Sequence, residues 1–310
     1  MVADRKLVLL ALDGSEQCLD MVRYISQVLT LSNTEVVLLH VFEKVLPIFW
    51  DREHDPLAAK HLEYMQGWSA HKEEKVRDFM EQASQILVGA GMPGDSITLN
   101  IQKRKQGIAR DVLEEIRFGY DVVALGRRGL GGADDAMLGS VANKVLMHAS
   151  GPAVCLVGGK PKAGKILVGL DNSWGSMRAA NFVGKVLSKG DPAITLAHVV
   201  RFPHEEEAGP LSGDYLQKIQ DEAAEAIQPT FDKVLKSLTG LGVKPEKIST
   251  KVLSGVVSRS TALLNEARNG RFGTIVVGRR GVSEVEEFEM GRVAAKLTQV
   301  ARDMAVWVVS

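Results

Sequence analysis

The sequence predicts two tandem α/β domains, each a doubly wound open sheet flanked by helices. Three observations carry that expectation. The chain repeats itself once at domain length, strand-length apolar runs alternate with helical stretches, and those runs are continuously apolar. Unbroken runs mark strands buried on both faces of a parallel sheet.

The repeat is explicit. "KLVLLALDGSEQ" at 6–17 returns as "KILVGLDNSWGS" at 165–176, and "VVLLHV" at 36–41 returns as "ITLAHV" at 194–199. Asp13, Ser15, His40 and Val41 align with Asp171, Ser173, His198 and Val199 at an offset of 158. "DVVALGRRG" at 121–129 matches "GTIVVGRRG" at 273–281 at an offset of 152, so the first copy carries six extra residues between its second and fourth strands. A period this long is that of a duplicated domain, not of a solenoid. With 310 residues, the chain divides into domains at 1–159 and 160–310, joined by the Gly-, Pro- and Lys-containing stretch 157–165.

In the first copy, strands are expected at 6–12, 35–42, 97–102, 121–125 and 153–157. Amphipathic stretches at 15–31, 57–89, 108–118 and 140–149 read as the helices between them, the last from Val141, Val145 and His148 sharing a face. Short strand–helix–strand connections imply parallel pairing through right-handed crossovers. In the order 3-2-1-4-5, the ligand crevice of such a sheet lies between strands one and four.

Composition narrows the function. Lys plus Arg and Asp plus Glu each total 38, so no overall field attracts nucleic acid or an anionic membrane. Two cysteines, Cys18 and Cys155, with no CxxC pair, fit inert thiols in a reducing compartment. The first apolar run is short and meets Asp13 at once, no stretch reaches a membrane-spanning length, and a cytoplasmic location is expected. Gly159, Gly164 and Lys165 match the front of a P-loop, but Ile166 lacks the metal-binding hydroxyl and opens a strand where that motif needs a helix.

The glycine-rich stretch "GRRGLGGADDAMLGS" at 126–140 follows strand four and precedes a helix. Its spacing, Gly126-x2-Gly129-x9-Gly139-Ser140, suits either a flexible loop or a backbone nest for an anion, with the helix N-terminus behind it. Ser140 stands where a side-chain N-cap would. Asp13 after strand one and His40-Val41 at the end of strand two reach the same crevice, which favours a nucleotide.

Asp13 after strand one, with G-x2-G-x9-G-[S/T] after strand four, resembles the universal stress protein family in its tandem form, over essentially the whole chain. The resemblance implies a five-stranded parallel sheet per copy, and ATP binding where the motif is kept. Carried over, Asp13 and Val41 contact the adenosine portion. Gly126, Gly129, Gly139, Ser140 and the backbone of Val141 hold ribose and phosphates, with Arg128 beside them and Mg²⁺ or Mn²⁺ bridging the phosphates. The counterparts are Asp171, Val199, Gly278, Gly281, Gly291 and Arg292, a departure from the pattern where the first copy has Ser140. The second copy's "VSEVEEFEM" replaces "LGGADDAML", adding Glu284, Glu286, Glu287 and Glu289 against Asp134 and Asp135. That loop disfavours a triphosphate, and Arg292 neutralised by one of its glutamates would close the site; the competing reading is that Arg292 replaces the serine by gripping phosphate directly.

No committed catalytic set accompanies the cradle. "GWSAH" at 67–71 lacks the second glycine of a nucleophile elbow, and His54, His61 and His71 match no metal spacing. His40 and His198 read as satisfied core residues, and Arg127 with Arg128 could reach phosphate, although a solvated pair is the commoner arrangement. The expected function is an ATP-binding regulatory or stress-response module with little or no hydrolysis. The alternatives are a metal-dependent ATPase or phosphotransferase using Asp13 or Asp134, and a nucleotide-free scaffold built on segments 44–92 and 203–241. The fifth strands, "AVCLV" and "AVWVV", are expected to pair edge to edge with Trp307 buried. One chain then equals the dimer that single-domain relatives form, with a homodimer of whole chains left open.

Overall fold

The computed structural model describes residues 5–30, 33–42, 56–129, 137–201, 213–282 and 289–310. Strands β1 (Lys6–Ala11), β2 (Thr34–Phe42), β3 (Ile97–Lys103), β4 (Val122–Gly126) and β5 (Ala153–Val157) belong to the first copy. Its helices are α1 (Glu16–Val28), α2 (Pro56–Gly89), α3 (Ile108–Ile116) and α4 (Ser140–His148). The second copy follows with β6 (Lys165–Leu170), α5 (Trp174–Val186), β7 (Ala193–Arg201), α6 (Gly213–Ala226), α7 (Gln228–Gly240), β8 (Ile248–Val256), α8 (Arg259–Asn269), β9 (Thr274–Gly278), α9 (Arg292–Val300) and β10 (Ala305–Val309).

The strands form one ten-stranded sheet in the order β3-β2-β1-β4-β5-β10-β9-β6-β7-β8. Each half is parallel and ordered 3-2-1-4-5, and each puts a crevice between its first and fourth strands. The continuously apolar runs lie where expected, with every residue of β5 and β10 buried. Lys165 begins β6, as the strand reading of the P-loop-like stretch requires.

The two halves meet where β5 and β10 pair antiparallel, Trp307 opposite Cys155. Trp307 is fully buried. Its indole Nε1 donates to the Tyr24 hydroxyl at 3.0 Å, and that hydroxyl lies 2.7 Å from the Thr274 hydroxyl. Phe182 packs on the same indole with ring centroids 5.4 Å apart. On each face of the sheet the apolar core runs across the seam. One face carries residues of α1, α2, α5 and α7, and the other residues of α3, α4, α8 and α9. Covering both faces of a ten-stranded sheet in this way is what unbroken apolar strands require.

Candidate functional site

In each half the acid after the first strand touches the glycine turn after the fourth. The Asp13 carboxylate accepts from the Ser15 amide at 2.9 Å and from the Cys18 thiol at 3.0 Å. A Cβ on Gly129 would come 2.7 Å from Asp13 Oδ2, and one on Gly281 would come 2.6 Å from Asp171 Oδ2. No side chain fits there without moving the acid, so this glycine is set by close approach. In the second half the Val282 amide donates to Asp171 Oδ2 at 3.3 Å, tying the turn to the acid.

The same turns meet the following helices through backbone alone. The Gly139 amide donates to the Arg127 carbonyl at 3.0 Å, and the Gly291 amide to that of Arg279 at 2.8 Å. The sequence placed Ser140 at the N-cap, which the structure corrects. Gly139 is the cap, extended at φ −58° and ψ 144°, and Ser140 is the first helical residue. The Gly139 carbonyl accepts the first helical bond, from the Asn143 amide at 2.8 Å, and that defines the cap position. Gly291 caps α9 in the same way, with no side-chain hydrogen bond at either helix start. Neither helix start is therefore capped by the side chain of its cap residue.

Arg127 requires a second correction. It is not half of a solvated pair but is buried, with its guanidinium donating to the Thr298 and Gln299 carbonyls of α9. Arg279 makes the reciprocal contact, donating to the Leu146 and Met147 carbonyls of α4 at 2.9 and 2.6 Å. Burial lowers the pKa of both guanidinium groups from the ordinary value. Arg128 is half-buried beside Gly129. Gly-Arg-Arg-Gly occurs in both copies, so the two arginines stand at equivalent positions.

Val41 and Val199 are buried at the strand ends, and Val199 lines the cavity of the second half. His40 and His198 each place Nδ1 2.8 Å from the carbonyl of the residue before the acid, Leu12 and Leu170. Burial lowers the His40 pKa. Both cysteines are buried and free. Burial, then the Asp13 charge, pushes the Cys18 thiol up to about 12, and burial holds that of Cys155 well above its ordinary value. His71 is exposed, 3.8 Å from Glu74. Val145 is buried while His148 on α4 is exposed, so the expected shared face holds only in part.

A cavity of about 660 Å³ fills the crevice of the second half. Asp171, Gly278, Gly281, Gly291 and Arg292 line it, and so do Arg201, Arg259 and Arg280, which sequence reasoning did not single out. Arg201 ends β7 and Arg259 opens α8 behind its cap Ser258, so these cations belong to the same crevice mouth. Glu289, the one described member of the four glutamates in the second copy's loop, lies 3.7 Å from His148 rather than against Arg292. Glu284, Glu286, Glu287, Asp134, Asp135, His54, the His61 side chain and parts of segments 44–92 and 203–241 lie outside the described residues.

A family model for the universal stress proteins matches residues 5–156 and again 162–309. The chain belongs to the universal stress protein family. Its two universal stress protein domains are therefore in tandem. A universal stress protein of Mycolicibacterium smegmatis is 26% identical over 196 residues, a match covering 62% of this chain and 63% of that protein's length. The crystal structure of a universal stress protein from Archaeoglobus fulgidus DSM 4304 aligns over 99% of both chains with a TM-score of 0.59 at 17% identity. A functionally unknown protein from Pseudomonas aeruginosa PAO1 aligns over 99% of this chain and 92% of its own, with a TM-score of 0.55 at 14% identity. At these identities the solved structures establish the fold. No helix of the described residues is long and apolar enough to cross a membrane.

Proposed function

We propose that the first universal stress protein domain binds ATP in the crevice between β1 and β4, and that the chain acts as a regulatory stress-response module with little or no hydrolysis. One observation carries this reading: α4 begins without a side-chain cap, behind a turn where a Cβ on Gly126, Gly129 or Gly139 would come within 2.7 to 3.2 Å of a neighbouring oxygen. Open amides and the positive end of a helix are what a phosphate needs. Asp13 and the backbone at Val41 would take the adenosine end. Gly126, Gly129, Gly139, Ser140 and Val141 would take ribose and phosphates, with Arg128 alongside.

Among the described residues no cluster of three or more His, Cys, Asp or Glu side chains could hold a metal ion. A Mg²⁺ or Mn²⁺ ion would accompany the phosphates and offset their charge, as Mg²⁺ does on nucleotides. The second domain keeps its crevice, but Arg292 stands where the serine was, and the cavity mouth is lined by arginines. Binding there would rest on charge and be weaker for ATP, because the added glutamates oppose a triphosphate. Native mass spectrometry of freshly purified protein tests the reading. An adenine nucleotide retained at one per chain supports it, and protein that neither retains nor takes up ATP overturns it.

A further inference from the structure

Two hydrogen-bonding arginines tie the crevices together. Each lies in the turn of one cradle, and each guanidinium reaches the far end of the helix that starts at the other. The Arg127 carbonyl holds the Gly139 amide at the start of α4, while its side chain holds the last carbonyls of α9. The Arg279 carbonyl holds the Gly291 amide at the start of α9, while its side chain holds the last carbonyls of α4. The bonds close a ring: first cradle, α4, Arg279, second cradle, α9, Arg127, first cradle.

Elementary helix physics gives this ring a consequence. Each helix has nine residues. A helix of that length spans about 14 Å and is marginal alone, because helices below roughly 12 residues lack the length to offset their nucleation cost. One end cannot loosen without the other responding. The terminal carbonyls are also the negative end of the helix dipole, where a cation stabilises. The last turn of α9 contains no basic residue of its own, so Arg127 from the other domain supplies that charge.

We infer that Arg127 and Arg279 are positioning residues that couple the two cradles, each domain's arginine setting the order of the other domain's ligand-binding helix. A ligand that fixes one cradle turn thereby fixes the arginine within it and steadies the opposite helix, so the two sites reinforce one another. The coupling rests on reading the glycine turns as ligand cradles, but its mechanical half is measurable without any ligand.

The experiment is amide hydrogen exchange on the nucleotide-free full chain, comparing wild type with Arg279→Met. Arg279 lies in the second domain, where its Nε donates to the Glu289 carbonyl at 3.0 Å, and on α4 it reaches only the carbonyls of the last turn. The coupling expects exchange to rise roughly fivefold or more at the far start of that helix, at the Gly139 and Asn143 amides, with β2 and β3 unchanged. Exchange that rises only at 146–148, or uniformly across the chain, overturns it. Should Arg279→Met fail to fold, Arg279→Lys keeps the charge without the fork and is expected to give a smaller rise at the same amides. Wild-type exchange there would overturn the coupling. ATP titration then reads the second half: Arg279→Met weakens binding at the first cradle roughly fivefold or more, and unchanged affinity contradicts the coupling. Wild type that ignores ATP sinks the proposed function alone, because the exchange result stands apart from it.

Discussion

In the first domain the helix behind the cradle opens with Ser140, and in the second the same place is held by Arg292. The backbone frame around the substitution is kept, although the preceding loop changes from LGGADDAML to VSEVEEFEM. Both helices are capped by a glycine, both glycine amides bond to an arginine carbonyl, and both turns press against an aspartate. The backbone frame was preserved while the side-chain chemistry changed from neutral to cationic. A second asymmetry sits at the seam. The α1 position taken by Tyr24 is Phe182 in α5, and the β10 position taken by Trp307 is Cys155 in β5. A symmetric dimer of single domains cannot place tyrosine and tryptophan at these positions in one copy each and phenylalanine and cysteine at the equivalent positions of the other. Fusing two copies into one chain removes that constraint, and both the sites and the seam use the freedom.

The largest expected effect separates the two cradles. Gly139→Val places a Cβ about 3.2 Å from the Arg127 carbonyl oxygen, and branching adds two methyls beyond it. Loss of ATP binding at the first domain is expected, measured by titration calorimetry on protein shown to be folded. Gly291→Val, with the equivalent crowding of Arg279, should retain that site, weakened only as far as Arg279 is displaced from α4.

Tyr24→Phe converts the bonded side of the seam to the character of the other. It strands the Trp307 Nε1 donor and removes a partner of the Thr274 hydroxyl, both buried. A loss of about 1–3 kcal/mol in unfolding free energy is expected in a urea titration, the scale of a buried polar group left unsatisfied. An unchanged midpoint would mean that the hydrogen bonds at the seam contribute nothing net.

Ser140→Ala tests the corrected cap assignment. Because Gly139 is the cap and no side-chain bond is lost, thermal stability should not change. ATP affinity should fall by about 1–2 kcal/mol, the scale of a hydrogen bond to a charged phosphate. A fall in stability without a fall in affinity would return Ser140 to a structural role.

The smallest effect is a pH dependence. The folded-state pKa of His40 is lowered by burial, so as pH falls below its ordinary 6.5 the unfolded chain takes up a proton first. Stability present above that value is lost as pH drops toward the folded pKa. His40→Gln should flatten this part of the curve between pH about 7.5 and about 5.5, seen as a smaller shift in urea midpoint than in wild type.

Much of this was legible in the sequence for physical reasons. Runs such as "LVLLAL" can only be strands covered on both faces, and each strand and helix of the first domain lies within three residues of its expected bounds. Asp13, Gly126, Gly129 and Gly139 converge because strand order puts the ends of β1 and β4 side by side. Arg127 was misread because charge usually means solvent. Nothing local reveals that a helix C-terminus from the other domain waits to receive it. Ser140 was misread because a serine at a helix start ordinarily caps, whereas the extended glycine before it already holds that position. Arg201 and Arg259 were missed because they come from a strand end and a helix start that only the fold brings to the crevice.

The comparison turns on which domain holds nucleotide, and calorimetric titration of ATP into nucleotide-stripped wild type, Gly139→Val and Gly291→Val answers that most directly. The account expects one tight site per chain, absent in Gly139→Val and kept in Gly291→Val, with any second, weaker site fading as salt is raised. A tight site that survives Gly139→Val and disappears in Gly291→Val would contradict it.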